Sequence, residues 1–347
     1  MKEIVVISGK GGTGKTSLVA SFAALAASTG SGQTRKAVLA DCDVDAADLH
    51  LVLAPTIRRR EDFRCGHEAI IRQADCIGCG ACLARCRFGA VVRIEATEDG
   101  LLAGAKTSCD NCADGCKRSC PVKFADMIEA VRAASGQQNE HTFLVDPTAC
   151  EGCGVCVWAC PVKAIDFPER LSGEWYVSDT RHGPMVHARL NPGGENSGKL
   201  VSTVRAGARA LAEERKSSLI LVDGPPGVGC AVIASVSGAS LVLVVTEPTL
   251  SGAHDLARVL DLTRHFGIPA AICVNKWDLN ADMTTQIEAE ARGKGARLAG
   301  RVRYDRAVTD AQIRGKAVVE IPDTMAGADI CSVWDLAVKA MGGQGAG

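Results

Sequence analysis

Twelve of the seventeen cysteines in this chain fall into three compact blocks, with the spacing of metal-binding loops rather than of a disulfide framework. Cys76, Cys79, Cys82 and Cys86 follow C-x2-C-x2-C-x3-C, and Cys150, Cys153, Cys156 and Cys160 repeat it, with Pro161 next. Between them Cys109, Cys112, Cys116 and Cys120 form C-x2-C-x3-C-x3-C, followed by Pro121. Thiolates set this closely, with Gly78, Gly80, Gly152 and Gly154 between them, can wrap a loop around a soft metal centre. A second chemistry opens the chain. Gly9-Lys10-Gly11-Gly12-Thr13-Gly14-Lys15-Thr16 matches G-x-x-x-x-G-K-[ST], a loop whose backbone N–H groups converge on phosphate oxygens. Lys15 would reach the β- and γ-phosphates and the Thr16 hydroxyl would ligate Mg2+. Ser17 continues into a helix whose N-terminus adds partial positive charge.

Such loops need rigid elements on either side. "EIVVIS", "KAVLAD", "SLILVD", "ASLVLVVTE" and "PAAICVN" are short, nearly continuous apolar runs, as expected of strands covered on both faces. "KTSLVASFAALAAS", "GAHDLARVLDLTRHF" and "DMTTQIEAEARG" carry helical patterns. The alternation predicts a doubly wound α/β fold around a parallel sheet. It also puts the phosphate loop between a strand and a helix, a context that a glycine-rich turn with a solvated lysine would not need. Two strand ends add carboxylates. "LADCDVD" offers Asp41, Asp43 and Asp45. "LILVDGPPG" offers Asp223, placed to hold the metal ion through water, and Gly227, whose N–H would reach the γ-phosphate. A lone aspartate after a strand is ordinarily a helix N-cap. Two such ends beside a phosphate loop favour function.

The α/β rhythm stops after "LHLVLAPT" and resumes near "SGKLVSTVRAGARALAEE". The expected organisation is a discontinuous P-loop domain, residues 1–57 and 168–347, interrupted by a small cysteine-rich domain at 58–167 with the extra block at 109–120. Apolar residues are 47% of the 347, enough for a substantial core. With 39 basic against 40 acidic residues there is no electrostatic footprint for nucleic acid or an anionic membrane. Aromatics at 4% argue against base-stacking surfaces. "MKEIVVIS" reads directly as a strand, so no signal peptide is expected, and no apolar run approaches the ~20 residues that span a bilayer. The expectation is a cytoplasmic protein, where thiols stay reduced and serve metals.

The first and last cysteine runs match the run of two-cluster bacterial ferredoxins, in which the fourth cysteine ligates the other run's cluster. One 4Fe–4S cluster is therefore expected on Cys76, Cys79, Cys82 and Cys160, and a second on Cys150, Cys153, Cys156 and Cys86. Zinc is the rival, but zinc sites usually separate two C-x2-C knuckles by a longer spacer. Pairing the first run with the last rests on their flanks. "AIIRQAD" and "GAVVRIE" surround one, "TFLVDP" and "KAIDF" the other, whereas the middle block leads into a helix-like "FADMIEAVRAA". The middle block reads as an insert with its own metal, a third 4Fe–4S cluster or zinc. Cys42, Cys65, Cys273 and Cys331 read as small buried apolar residues. His182, His187, His254 and His265 read as packed or solvated.

"KGGTGKT", "DCD" and "DGPPG" together resemble the MinD/ParA-type deviant P-loop ATPases, whose relatives include the Mrp-type cluster carriers and the nitrogenase iron protein. The resemblance covers essentially the whole chain outside the cysteine-rich insertion, through "VVTEPTLSGAHDLARVL", "VNKWD" and "AGRVRYDRAVTDAQIRGKAV". With "GPMVHARLNPGGENSGKLV" it is most similar to MinD-superfamily ATPases that carry an inserted ferredoxin domain. The resemblance implies that Lys10 is a signature lysine reaching across a nucleotide-sandwich dimer. It implies that Asp43 orients the attacking water and that Asn275 reads adenine. "NKWD" also fits the guanine-reading N-K-x-D pattern through Asn275 and Asp278, which leaves GTP open. Arg303 stands where relatives usually place a proline. Cys230, seven residues after Asp223, has the offset of a switch-region cluster cysteine of the nitrogenase iron protein; core packing is its plainer reading.

What the resemblance implies is an ATPase, a homodimer or a heterodimer with a paralogue, that couples nucleotide state to iron–sulfur centres for a redox or iron–sulfur client. Cluster assembly or delivery and ATP-gated electron transfer both fit. The alternative is an ATP-dependent spatial organiser at membrane or nucleoid. Against it, the last helix candidate has an apolar face through Ile330, Val333, Trp334, Ala337, Val338 and Met341 but only Lys339 as a cation, beside Asp329 and Asp335. A membrane-seeking helix would be lined with lysine and arginine, so this one is expected to pack on the sheet.

Overall fold

The computed structural model describes residues 1–28, 37–94, 142–191 and 197–342. The block Cys109–Cys120 and the helix-like run after it lie outside the described residues. The strands, in chain order, are β1 (Lys2–Ser8), β2 (Val38–Asp41), β3 (Thr56–His67), β4 (Ile70–Ile71), β5 (Val91–Ile94), β6 (Thr142–Val145) and β7 (Ile165–Asp166). They continue with β8 (Glu169–Thr180), β9 (Gly183–Leu190), β10 (Leu219–Pro226), β11 (Leu241–Thr246), β12 (Ala270–Asn275) and β13 (Arg297–Val302). Two compact units form. One comprises Met1–Glu61, Glu174–Arg189 and Ser197–Gly347; the other comprises Asp62–Gly173 and Leu190–Asn196.

A nine-stranded sheet runs in the order β13-β12-β11-β1-β10-β2-β9-β8-β3. Its centre is parallel: β1 pairs with both β10 and β11, β10 with β2, β11 with β12, β12 with β13, and β2 with β9. Ile4, Val5, Val6 and Ile7 are all fully buried, so consecutive residues pointing to opposite faces are both covered, as their unbroken apolar run requires. The cover is helical. Helix Lys15–Ser28 follows β1 and buries Leu18, Val19, Phe22 and Ala23. Helix Met325–Gly342 buries Ile330, Val333, Trp334, Ala337 and Met341, with the Trp334 ring 5.1 Å from that of Phe22. The apolar face of the last helix is thus used by the core. Truncating Trp334 to alanine would cost about 3–5 kcal/mol. Among the described residues no helix is long and apolar enough to cross a membrane.

Three strands depart from the expectation drawn from apolar patterning. β3, "TIRRREDFRCGH", lies at the sheet edge and is exposed almost throughout. Its charges are answered by neighbours: Arg58 Nε donates to Asp179 at 2.8 Å, Arg60 Nε donates to Glu174 at 2.9 Å, and Arg59 sits over the Trp175 ring. Charged edge strands of this kind resist pairing with other chains. β8 and β9 flank the turn at Arg181 and His182; β8 is half-buried over much of its length, whereas β9 buries Met185 to Ala188 in a row. His187 on β9 is packed, as expected: Ser178 Oγ lies 2.8 Å from its Nε2, Tyr176 stacks on it, and burial pushes its pKa down to about 4.

In the second unit the flanks of the two cysteine runs are cross-paired. β4, before the first run, pairs antiparallel with β7, after the last; β5, after the first, pairs with β6, before the last. Ala69, Ile71, Ala90, Val91, Phe143, Val145 and Ile165 form its core together with Cys82 and Cys150.

Candidate functional site

β1 ends at Ser8 and the next helix begins at Lys15, so the glycine-rich residues turn at the C-terminal end of the central strand. Gly14 takes φ 88°, and a Cβ there would lie 2.5 Å from Asn275 Nδ2. That contact is structural: Asn275 Nδ2 donates to the Thr13 carbonyl at 2.8 Å and its Oδ1 accepts from Lys276 N at 3.0 Å. A cavity of about 370 Å3 opens on the loop, lined by Gly11, Gly12, Gly14, Lys15, Thr16, Ser17 and Asp43, and also by Asn275, Lys276, Tyr304, Asp305 and Gln312. Its size suits a small-molecule ligand. Gln312 Nε2 donates to Ser17 Oγ at 2.7 Å.

Parallel pairing places the acidic strand ends together. Asp41 of β2 is the register partner of Asp223 of β10, and Cys42 N donates to the Asp223 carbonyl at 2.8 Å. Lys15 Nζ lies 3.2 Å from Asp43 Oδ2, both buried, while Asp45 is exposed. Burial raises the pKa of Asp41 well above its ordinary range, and the Asp223 charge adds to this. Burial also raises Asp43, against the pull of Lys15. Asp223 is pushed up to about 6 by burial; Lys15 and the Thr16 hydroxyl draw it back without making a properly formed hydrogen bond. Both Asp223 carboxylate oxygens, Asp41 Oδ2 and Thr13 Oγ1 are buried with no hydrogen-bond partner among the described residues. Buried, unanswered carboxylate oxygens beside a P-loop threonine fit a divalent cation, with Thr16 and Asp223 as the groups that would hold Mg2+.

Other expected participants are engaged inside the chain. Lys10 Nζ lies 3.5 Å from Glu247 Oε2 and 3.4 Å from Ser251 Oγ, and Lys276 Nζ donates to the other Glu247 oxygen at 2.5 Å. Glu247 was missed by sequence reasoning; its signal was its place just after β11, a direct neighbour of β1. The Gly227 N–H, expected on a γ-phosphate, donates to the Ser8 carbonyl at 2.8 Å. Asp278 Oδ1 accepts from Tyr304 N at 2.7 Å, and Asp278 does not line the cavity. Arg303, in the place of a proline, is held by Asp329 through Nε at 2.7 Å and Nη2 at 2.9 Å. Cys230 is exposed at the start of helix Cys230–Val236, so core packing does not describe it. Cys42 and Cys273 are buried as expected, whereas Cys65 and Cys331 are only half-buried.

The two cysteine runs share one local geometry. Gly80 (φ 70°, ψ 6°) precedes helix Ala81–Arg85 and Gly154 (φ 71°, ψ 1°) precedes helix Val155–Ala159. Each helix ends on a cysteine of nearly identical conformation, Cys86 (φ −74°, ψ 113°) and Cys160 (φ −75°, ψ 113°). These extended cysteines leave their own run. Cys86 joins Cys150, Cys153 and Cys156 around one pocket, and Cys160 joins Cys76, Cys79 and Cys82 around another. Ala164 N donates to Cys160 Sγ at 3.2 Å. Burial raises the thiol pKa of Cys82 and Cys156, and the neighbouring cysteines push the same way. Among the described residues no three His, Cys, Asp or Glu side chains converge as a single ion needs. Four thiols ringing one pocket are a donor set that a soft metal centre would fit.

The model of the CobQ/CobB/MinD/ParA nucleotide binding domain matches residues 4–318. The chain belongs to this family. It is a MinD/ParA-type P-loop ATPase with a ferredoxin-like insert. It is 29% identical over 280 residues to an uncharacterized protein of Methanocaldococcus jannaschii, covering 80% of this chain and 79% of that one. A segment of 105 residues, 29% of this chain and 23% of the relative, is 32% identical to the polyferredoxin protein MvhB of Methanothermobacter marburgensis. Among solved structures, the septum site-determining protein MinD of Pyrococcus horikoshii, complexed with Mg-ADP, aligns with TM-score 0.52 at 14% identity. That alignment covers 99% of this chain and 97% of that one, a likeness of fold. In this MinD/ParA member the cavity lies where the family's doubly wound sheet places a ligand, beyond the carboxyl ends of β1, β2 and β10.

Proposed function

We propose that this protein hydrolyses ATP and couples its nucleotide state to electron transfer through two resident 4Fe–4S clusters in the inserted segment, residues 58–167. The observation that carries this reading is the sorting of eight cysteines into two crossed sets of four, with Cys86 and Cys160 exchanged between the runs. Such interleaving ties each cluster to both halves of the insert and suits clusters that stay rather than clusters that leave. When bound, each cluster supplies a one-electron store. The middle block, Cys109, Cys112, Cys116 and Cys120, is proposed to hold a third cluster, with zinc as its alternative.

At the other site, backbone N–H groups of Gly11–Ser17 bind the phosphates and Lys15 takes the β- and γ-phosphates. Lys15 then leaves Asp43, its present partner at 3.2 Å, and the freed carboxylate orients the attacking water. Thr16 and Asp223 would hold Mg2+, which neutralises phosphate charge. Gly227 turns its N–H from Ser8 to the γ-phosphate. Asn275 and Lys276 border the base. Adenine is favoured over guanine because Asp278, which a guanine reader would present to the base, is bound to Tyr304 N. Lys10 reaches the partner copy's phosphates in an ATP-bound homodimer or paralogue heterodimer. The client is a redox protein, in an aqueous compartment, without nucleic acid or membrane.

Anaerobic purification with iron and sulfide counts, EPR and ATP turnover in the presence of a chelator tests this. Clusters that persist through turnover are expected. Loss of iron to the chelator in step with hydrolysis would turn the reading to cluster delivery, and protein that never holds iron would end both.

A further inference from the structure

The two cysteine pockets share a backbone geometry but not a surface. Beside Cys76, the Arg72 guanidinium is held by Asp75, Nε to Oδ2 at 2.6 Å, and by Asp166, so charge there is answered locally. The other pocket differs. Arg85 and Arg87 bracket its Cys86 in sequence; both are exposed, and neither makes an ion pair among the described residues. Glu151 is the acid that lines this pocket. Phe88 and Val155 also line it, yet are 50% and 42% exposed. Trp158, three residues on from Val155 in the same short helix, is 86% exposed. Its counterpart in the first run is Ala84, so the tryptophan is not part of the repeated loop design; it lies one helical turn from Val155 and two residues after Cys156, which both line this pocket.

We infer that Trp158, Phe88, Val155, Arg85 and Arg87 form the docking surface for a redox protein whose cofactor lies beneath an acidic surface. Exposed apolar side chains rim both pockets, with Ile77 and Val162 57% and 42% exposed at the first. Trp158 and the two arginines are therefore what set this one apart, and an exposed tryptophan is a typical anchor. The unanswered arginines set the partner's sign, because they outnumber Glu151 and would steer an acidic surface toward Cys86. A partner seated on Phe88 and Val155 touches side chains that line this pocket and not the other, so electrons exchanged with that partner would cross at this cluster. The inference rests on the cluster reading proposed above, but the surface itself can be tested without it.

The test uses the full chain, purified anaerobically, with an acidic plant-type 2Fe–2S ferredoxin as the probe and the basic protein cytochrome c as the control. Association is followed by biolayer interferometry at low and at physiological salt for wild type, Arg85→Glu/Arg87→Glu and Trp158→Ala. For the acidic probe, association to wild type should slow with salt, and the double reversal should slow it about tenfold or more at low salt. Trp158→Ala should speed dissociation about tenfold with little change in association. For cytochrome c the double reversal should strengthen binding. Circular dichroism on each variant checks folding. Equal binding of the acidic probe by all three proteins overturns the inference. So does sedimentation showing that Trp158→Ala only splits a self-associated form, which would make the face a contact between copies. Iron and sulfide counts on the same wild-type sample separate the two readings. Protein without iron removes the cluster assignment, while the binding curves still decide the surface.

Discussion

Replacing Asp223 with asparagine should change how stability depends on pH, by an amount that follows from the carboxyl's surroundings. The group is fully buried, neither oxygen has a partner among the described residues, and burial raises its pKa from 3.8 to about 6. A group whose folded pKa lies above its unfolded value disfavours folding once ionised. The penalty is absent below pH 3.8, grows between 3.8 and 6, and is complete above that window. At about 1.36 kcal/mol per pKa unit it approaches about 3 kcal/mol above the window and about half of that at pH 5. The amide escapes this penalty but leaves its own donors buried, at about 1–3 kcal/mol independent of pH. The net change at pH 8 is therefore small, while the difference between variant and wild type should shift by about 1 kcal/mol or more between pH 5 and pH 8, toward the variant at higher pH. Urea titrations in EDTA, without nucleotide and followed by far-UV circular dichroism, read that shift through the long helices of the nucleotide-binding unit. Mg-ATP at a hundredfold excess over its Kd should add about 2.7 kcal/mol to wild type and much less to the variant. A difference that does not move with pH, or moves the other way, would refute a penalised carboxylate at this position.

Lys15→Ala should abolish ATP hydrolysis and leave the iron–sulfur spectrum unchanged; turnover at the wild-type rate would remove the phosphate-loop assignment. Lys10→Ala should retain nucleotide binding by the single chain but weaken the ATP-bound dimer by about tenfold or more in sedimentation. Glu247→Gln should strengthen that dimer, since it releases Lys10 from a contact within its own chain. Anaerobic wild type should hold about 12 irons per chain if the middle block carries a cluster, and Cys112→Ser/Cys116→Ser about 8 with the ferredoxin signal intact. Loss of one zinc with all iron retained would make the block a zinc site.

The parts of this molecule that could be read from sequence are those whose chemistry is local in the chain. β1, its phosphate loop and helix Lys15–Ser28 are contiguous, and an unbroken apolar run, a glycine turn and a helical pattern each announce themselves. The pairing of the cysteine runs was legible for a different reason. Apolar flanks surround the first and last runs, and those flanks, β4 with β7 and β5 with β6, are what the chain pairs. β3 gave no such sign, because an exposed edge strand needs no apolar face and its arginines are answered by β8, more than a hundred residues away.

The same distinction bears on the nucleotide question that "NKWD" leaves open. The motif is compatible with guanine because residue types alone permit Asp278 to face the base. What the motif cannot contain is the competitor for that carboxylate, the backbone N–H of Tyr304, 2.7 Å away. Arg303 next to it is fixed on Asp329 by its side chain and by its own N–H, at 3.0 Å, so the segment that presents Tyr304 is anchored to the last helix. Freeing Asp278 for a guanine would leave the Tyr304 N–H without this partner. Asp329→Asn should therefore loosen that segment and relax the preference for ATP, whereas Asp278→Asn should leave ATP hydrolysis near its wild-type rate. Turnover of GTP as fast as ATP by the wild-type chain would show that Asp278 does leave Tyr304, and that the hydrogen bond is weaker than the base it would have to refuse.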